Sequence, residues 1–419
     1  MKYFVAGALS TILMMSPALA ADMVVEDAIA APSGANIYDW SGFHVGIGGG
    51  TGVAVHELST PIIGGISFNG IGGDGLFGQV SAGYDFVFDN GFLLGAEVSG
   101  RYGGVKTKAS LGGLSADVTA EYGFDAVARL GYSVAPNVLG YVLGGYSWQR
   151  FDVATSVPGI AYDWDDGGYV LGVGMETVLR NNLTLKSEYR YSKYNSHDVL
   201  GLGGLFVDPS SHTFLTSLNY RFNGGPSSQT MAPVNYDWTG FKVGASVGAG
   251  ALVHDIDVAG GGFNFNGIGG EGIFGDINIG YDHQFNDRFV GGIQISGRWS
   301  NMQTELNIFG GTADITADYG IDVLARLGML VGDRSLAYVI GGYSWQHFDL
   351  STSPAIFSYD WDANGFTVGT GLEVAFSQKI TGFTEYRYSH YESEDFGSGG
   401  FLEATPRMHT VRMGVKYKF

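Results

Sequence analysis

The stretch His409-Thr-Val-Arg-Met-Gly-Val-Lys-Tyr-Lys-Phe419 decides the fold. Val411, Met413, Val415, Tyr417 and Phe419 share one face, and Arg412, Gly414, Lys416 and Lys418 share the other. A period of two is that of a β-strand with one apolar side and one basic or small side. The strand recurs 197 residues upstream as His212-Thr-Phe-Leu-Thr-Ser-Leu-Asn-Tyr-Arg-Phe222, with Tyr220 and Phe222 in register with Tyr417 and Phe419. A self-comparison of the whole chain follows.

Tyr38-Asp-Trp-Ser-Gly-Phe43 matches Tyr236-Asp-Trp-Thr-Gly-Phe241, and the correspondence runs to the C-terminus at an offset of 197 or 198. Phe68-Asn-Gly-Ile-Gly-Gly73 matches Phe265 to Gly270, Gly144-Gly-Tyr-Ser-Trp-Gln149 matches Gly341 to Gln346, and Glu188-Tyr-Arg-Tyr-Ser192 matches Glu385 to Ser389. A unit of about 185 residues is too long for a solenoid repeat and suits a duplicated domain. The expected organisation is a signal peptide (1–20), a lead-in (21–37), a first unit (38–222), a linker (223–235) and a second unit (236–419). Lys2, the apolar run from Phe4 to Met15 and Ala18-Leu19-Ala20 carry the signal-peptide reading.

Composition narrows the class. No later stretch is a twenty-residue apolar run, so helical membrane spans are excluded. The absence of cysteine removes disulfides and thiolate metal sites. A net charge of −19 repels phosphate backbones and argues against nucleic acid. The 69 glycines have no collagen period, and with 24 Tyr and 27 Phe they suit a barrel with small residues on one side of its strands and aromatics on the other.

Alternation predicts eight strands in the first unit, near 41–53, 77–88, 92–104, 116–133, 138–151, 168–179, 183–193 and 212–222. Short joints such as Asp89-Asn-Gly91, Val134-Ala-Pro-Asn137 and Arg180-Asn-Asn182 have turn chemistry. Long joints are expected at 54–76, 105–115, 152–167 and 194–211. Short turns alternating with long loops indicate an all-β, antiparallel up-and-down transmembrane barrel with short turns in the periplasm. Tyr84, Phe86, Phe88, Phe92, Tyr132, Tyr220 and Phe222 lie beside the short turns, where an interfacial girdle belongs.

The opposite faces carry Asp85, Glu97, Arg101, Asp125, Arg129, Glu176, Lys186, Glu188 and Arg190. Asp282, Arg298, Asp322, Arg326, Glu373, Glu385 and Arg387 repeat most of them, while Gln294 replaces Glu97 and Phe383 replaces Lys186. Both signs on one face imply a charge network inside the barrel. Sixteen strands could close as one wide barrel or as two tandem eight-stranded barrels. The long joint 223–235, its likeness to the lead-in and the inward Val87, Leu93, Val127, Val170, Val178 and Leu215 favour two. A single terminal aromatic, Phe419, argues instead for one wide barrel, which needs only one C-terminal assembly signal.

At Asp39-Trp-Ser-Gly-Phe43, Ala128-Arg-Leu-Gly-Tyr132, Gly172-Val-Gly-Met-Glu176 and Glu188-Tyr-Arg-Tyr191 the chain resembles the small outer-membrane barrels of the OmpA-transmembrane and opacity-protein type, most of all the RopB-like surface proteins of alphaproteobacteria. The resemblance spans both units and departs from the family in the duplication. It implies a surface structural role, sometimes adhesion or haem binding, and no shared active site.

No motif brings clear chemistry. His212 and His409 read as polar residues opening the last strand of each unit, without metal-ligand spacing. Asp163-Trp-Asp-Asp-Gly167 lacks the closing glutamate of a calcium loop. Ser211-His212 and Ser389-His390 would point to opposite faces of a strand. Gly70 to Gly75 lacks the Lys-Ser/Thr of a phosphate loop and reads as an ordinary loop. The expectation is therefore a structural or surface-interaction protein of the outer membrane, with no catalytic residue, metal or cofactor. Tyr417 and Phe419 are the expected assembly signal. The expected partners are outer-membrane lipid and lipopolysaccharide, the barrel-assembly machinery, periplasmic chaperones, and a host or environmental ligand at the outer loops. A sixteen-stranded diffusion pore is the alternative, and a haem-binding or adhesin surface protein a third reading.

Overall fold

The computed structural model describes residues 35–60, 66–111, 114–156, 161–198, 204, 206–231, 236–258, 263–308, 310–331, 334–355, 358–396 and 402–419. The signal peptide and most of the lead-in lie outside them. The short strand β1 (Ala35–Tyr38) precedes the first unit, which comprises β2 (Gly42–Thr60), β3 (Ile66–Val87), β4 (Phe92–Leu111), β5 (Leu114–Ala135), β6 (Val138–Thr155), β7 (Ala161–Arg180), β8 (Leu183–Tyr194) with its continuation β9 (His197–Asp198), and β10 (Phe206–Arg221). After β11 (Pro226–Met231) the second unit repeats the series as β12 (Gly240–Val258), β13 (Phe263–Gln284), β14 (Phe289–Ile308), β15 (Gly311–Leu330), β16 (Ser335–Ser353), β17 (Ser358–Ala375), β18 (Ile380–Tyr391) with β19 (Glu394–Phe396), and β20 (Leu402–Lys418).

Each strand is antiparallel to the next, and each unit closes on itself. The last strand of the first unit, β10, pairs with its first, β2, from Phe206↔Ser59 to Arg221↔His44. Likewise β20 pairs with β12, from Leu402↔Val258 to Lys418↔Lys242. Two eight-stranded barrels result, not one of sixteen. Part of the expected linker is itself a strand, since β11 pairs with β1 beneath the first barrel.

Alternation decides which side of each strand meets lipid. Along β4 the outward Phe92, Leu94 and Val98 are exposed, whereas Leu93, Glu97 and Ser99 between them are buried. The seven aromatics expected at the periplasmic girdle are all exposed. Turn chemistry sets the hairpins. Asn181 takes φ 41° in the two-residue joint between β7 and β8, and Gly91 takes φ 84° after Asp89-Asn90.

The strands run further outward than alternation indicates. β3 has 22 residues, about 70 Å at ~3.3 Å per residue, whereas a bilayer needs only about ten tilted residues. Much of the expected loops 54–76, 105–115, 152–167 and 194–211 is therefore strand. Gly70 to Gly75 lies within β3 and is not a loop. His212 and His409 do not open their strands, which begin at Phe206 and Leu402. Above the bilayer no lipid demands an apolar outer face, so the period-two signal fades although hydrogen bonding continues.

The barrels stand side by side with corresponding residues facing each other. Ser187 on β8 and Thr384 on β18, 197 positions apart, hydrogen-bond through their hydroxyls at 3.1 Å. A Cβ on Gly72 would lie 2.9 Å from Gly269 Cα, and one on Gly269 would lie 2.8 Å from Gly72 Cα. The backbones of Ile71 and Ile268, another counterpart pair, also bridge. Phe68↔Leu306 and Phe265↔Ala109 are two copies of one exchanged pairing. Residues that meet their own counterparts mark a pseudo-twofold axis between the barrels.

Candidate functional site: the sealed barrel interiors

The motif Tyr38-Asp-Trp-Ser-Gly-Phe43 builds the periplasmic floor of the first barrel. Asp39 Oδ1 accepts the Ser41 backbone N–H at 2.9 Å, a side-chain-closed turn that swings Trp40 inward. Gly42 follows at φ 112°, a left-handed conformation that favours glycine. Trp40 is 1% exposed and packs with Tyr38, Leu93, Val127, Leu139, Tyr141, Leu143 and Val170. Arg221 lies 4.9 Å from the Trp40 ring centroid and donates to the Trp40 carbonyl at 2.7 Å. The second unit repeats this floor with the Asp237–Thr239 turn, Gly240 at φ 142° and buried Trp238 beside Lys242.

Above the floor lies the charge network. In the first barrel, Arg190 Nη2 lies 2.8 Å from Glu97, its Nη1 lies 2.7 Å from Asp125, and its Nε reaches Glu188. Lys186 Nζ is 2.9 Å from Glu97, and Arg101 Nη1 is 2.7 Å from Asp125. Arg129 Nη2 is 3.1 Å from Glu176, and Arg221 joins Glu176 and Asp85, each at 2.9 Å. Tyr141 donates to Glu188 at 2.6 Å and lies under the Arg129 guanidinium. Five carboxylates (Asp85, Glu97, Asp125, Glu176, Glu188) thus face five basic side chains (Arg101, Arg129, Lys186, Arg190, Arg221). All are buried except Arg101, whose side chain is 12% exposed.

In the second barrel Arg387 lies 2.7 Å from Asp322 and 2.6 Å from Glu385, and Arg326 lies 2.6 Å from Glu373. Asp282 is 2.7 Å from Lys242, while Arg298 Nη1 is 3.6 Å from Asp322. Lys416 leans over the Phe383 ring at 4.7 Å and donates to Gln294 at 3.0 Å, where the first unit has the Lys186–Glu97 pair. Arg412 and Asp276 form a pair at 3.0 Å where the first unit has Leu215 and Gln79. The ion pair absent at one level is replaced at another.

All sixteen charged residues that alternation places on the inner faces are buried or, for Arg101, nearly so. Arg221, His44, Lys242, Asp276, Arg412 and Lys416 complete the set. Arg412 and Lys416 already stood on the basic face of the last strand. Arg221 sits at the inward parity of β10, with its outward neighbours Tyr220 and Phe222 exposed.

Aromatic side chains fill the outer mouths. Phe151 stacks on Trp164 at 5.0 Å, with Tyr194 edge-on, and Phe348, Trp361 and Tyr391 repeat the arrangement. A cavity of about 30 Å³ remains near Arg101, Gln149, Phe151 and Tyr194, room for about one water. Met302 and Met408 occupy the corresponding place in the second barrel. Trp164 belongs to the Asp163–Gly167 run, which is therefore strand and plug. Ser389 is buried with its hydroxyl on Thr367. Among the described residues no group of three or more His, Asp or Glu is placed to hold a metal ion.

The family described as "Outer membrane protein beta-barrel domain" matches residues 8–222 and again 226–419. The 31 kDa outer-membrane immunogenic protein of Brucella melitensis biotype 1 is 30% identical over 233 residues, covering 50% of this chain and 95% of that protein. Among solved structures, the attachment invasion locus protein Ail of Yersinia pestis is 17% identical with a TM-score of 0.25, covering 43% of this chain and 99% of its own. Neisserial surface protein A is 17% identical with a TM-score of 0.28, covering 43% and 98%. Two self-closed barrels and two family matches agree: the chain is an outer-membrane protein that belongs to the outer-membrane β-barrel domain family and carries that domain twice in tandem.

Proposed function

We propose that the protein is a non-catalytic structural and surface-interaction protein of the outer membrane that conducts no solutes. One observation carries this reading. Each interior is occupied from the tryptophan floor through the charge network to the aromatic outer mouth. Eight-stranded barrels have interiors just wide enough for side chains, whereas aqueous channels belong to wider ones. The outer halves of the strands would then form a stiff platform above the bilayer for an external ligand. The relative's printed name, an immunogenic protein, agrees with surface exposure. Outer-membrane lipid and lipopolysaccharide are the proposed partners along the exposed apolar band. Periplasmic chaperones and the barrel-assembly machinery are the proposed partners during insertion.

Single-channel recording of the refolded chain in a planar bilayer tests the reading. Folded protein should give no stable openings. Large, long-lived openings would overturn it in favour of a transport role.

A further inference from the structure

The outward faces of β8 and β10, and of β18 and β20, break the rule the rest of the barrel surface obeys. Around most of the membrane-spanning surface the outward positions are apolar side chains, exposed at Val80, Val98, Ile277 and Ile295. Here they include Ser187, Ser210 and His212 in one unit, and Thr384, Arg407 and His409 in the other. Ser187, Thr384, Ser210, His212 and His409 are all buried. Their partners lie across the seam. His212 Nε2 and Ser210 Oγ each lie 3.0 Å from the Glu271 carboxylate. In reciprocal positions, Arg407 Nη1 lies 2.6 Å and His409 Nε2 3.8 Å from Asp74, the counterpart of Glu271. Tyr189 supports His212 at 2.7 Å as Tyr386 supports His409 at 2.8 Å. Val53 and Val55 pack with their counterparts Ala251 and Val253.

We infer that this flank is a self-complementary docking surface whose partner is a second copy of the same barrel, supplied here by the other half of the chain. Polar side chains turned toward lipid are costly unless covered, and only a partner presenting the same face covers them reciprocally. Association within a bilayer cannot lean on the hydrophobic effect. It relies on close packing and hydrogen bonds, as Ser187 against Thr384 provides, and above the bilayer the backbones of Gly72 and Gly269 approach each other closely. Within these matching segments Gly70, Gly72 and Gly269 stand where the two backbones touch. The linker raises the local concentration of the second barrel, while the flank supplies the specificity.

The test uses the full chain with a protease site inserted between Met231 and Tyr236 and an affinity tag on one half. After assembly in the outer membrane and cleavage in mild detergent, the halves should co-purify. With Gly72→Leu and Gly269→Leu together they should come apart while each stays heat-modifiable. Separation of the unsubstituted halves, or continued association of the substituted ones, would overturn the inference. The chain has no cysteine, so a second measurement is clean. Ser187→Cys with Thr384→Cys should give an intrachain disulfide on oxidation, whereas the lipid-facing counterparts Val98→Cys and Ile295→Cys should not. A folded Ser187/Thr384 variant that does not crosslink, or equal crosslinking of the two variants, would also overturn it.

Discussion

Lys186 Nζ lies 2.9 Å from Glu97 Oε2 inside the first barrel, and the corresponding positions of the second barrel hold Phe383 and Gln294. Both partners have changed together. Removing one partner of a buried pair strands the other at a cost of about 3–5 kcal/mol, whereas replacing both with well-packed groups can be nearly neutral. Glu97→Gln alone should therefore destabilise the first barrel by roughly that amount. Glu97→Gln with Lys186→Phe should recover most of the loss, because Arg190 keeps Asp125 and Glu188. Urea unfolding followed by tryptophan fluorescence would check this. A double variant less stable than the single one would contradict it.

Trp40 closes the periplasmic mouth with its ring beneath Arg221. Trp40→Ala should destabilise the first barrel by about 3–5 kcal/mol, the usual cost of emptying a large aromatic site. The second barrel, with its own Trp238, should be unaffected. Separate unfolding transitions for the two units, or proteolysis that spares only one, would show the difference.

The turn before each first strand can be divided into two contributions. Gly42→Ala forces a side chain into φ 112°, with its Cβ 2.8 Å from Asn223 Nδ2, and should cost about 1–3 kcal/mol. Asp39→Ala removes the hydrogen bond to Ser41 and should cost about 0.5–1.5 kcal/mol. The ranking is testable by comparing denaturation midpoints. Asp39→Ala proving the worse substitution would place the strain elsewhere.

Tyr417 and Phe419 stand exposed and edge-to-face at 5.3 Å, as do Tyr220 and Phe222 at 5.3 Å. Phe419 follows β20, the strand that closes the second barrel. Deleting Phe419 should sharply reduce the heat-modifiable protein recovered from outer-membrane fractions, and Phe222→Ala should not. Equal losses from both changes would mean that each unit carries its own signal.

The interior was legible because lipid on one side and a narrow lumen on the other impose a period of two on every membrane-crossing strand. Glu97 between Ala96 and Val98 already declares its direction. The motif Asp39-Trp-Ser-Gly-Phe43 was visible as a repeat, yet its work as a floor was not. That depends on an aspartate-closed turn and a left-handed glycine, which place Trp40 beneath strands distant in sequence. The outer parts of the strands carry no alternation because residues such as Gly70 and Gly72 face water or the neighbouring barrel, and neither demands it.

The sequence by itself determined a duplicated outer-membrane barrel, the inward direction of charged side chains such as Glu97 and Arg190, and the positions of the periplasmic turns, all local consequences of strand period and turn chemistry. Only the tertiary structure decided that β10 returns to β2 and β20 to β12, because strand closure is a pairing between segments far apart that alternation leaves open. The seam where Ser187 meets Thr384 was decided there too. An outward serine carries no mark of its partner until two curved surfaces fix which residues touch.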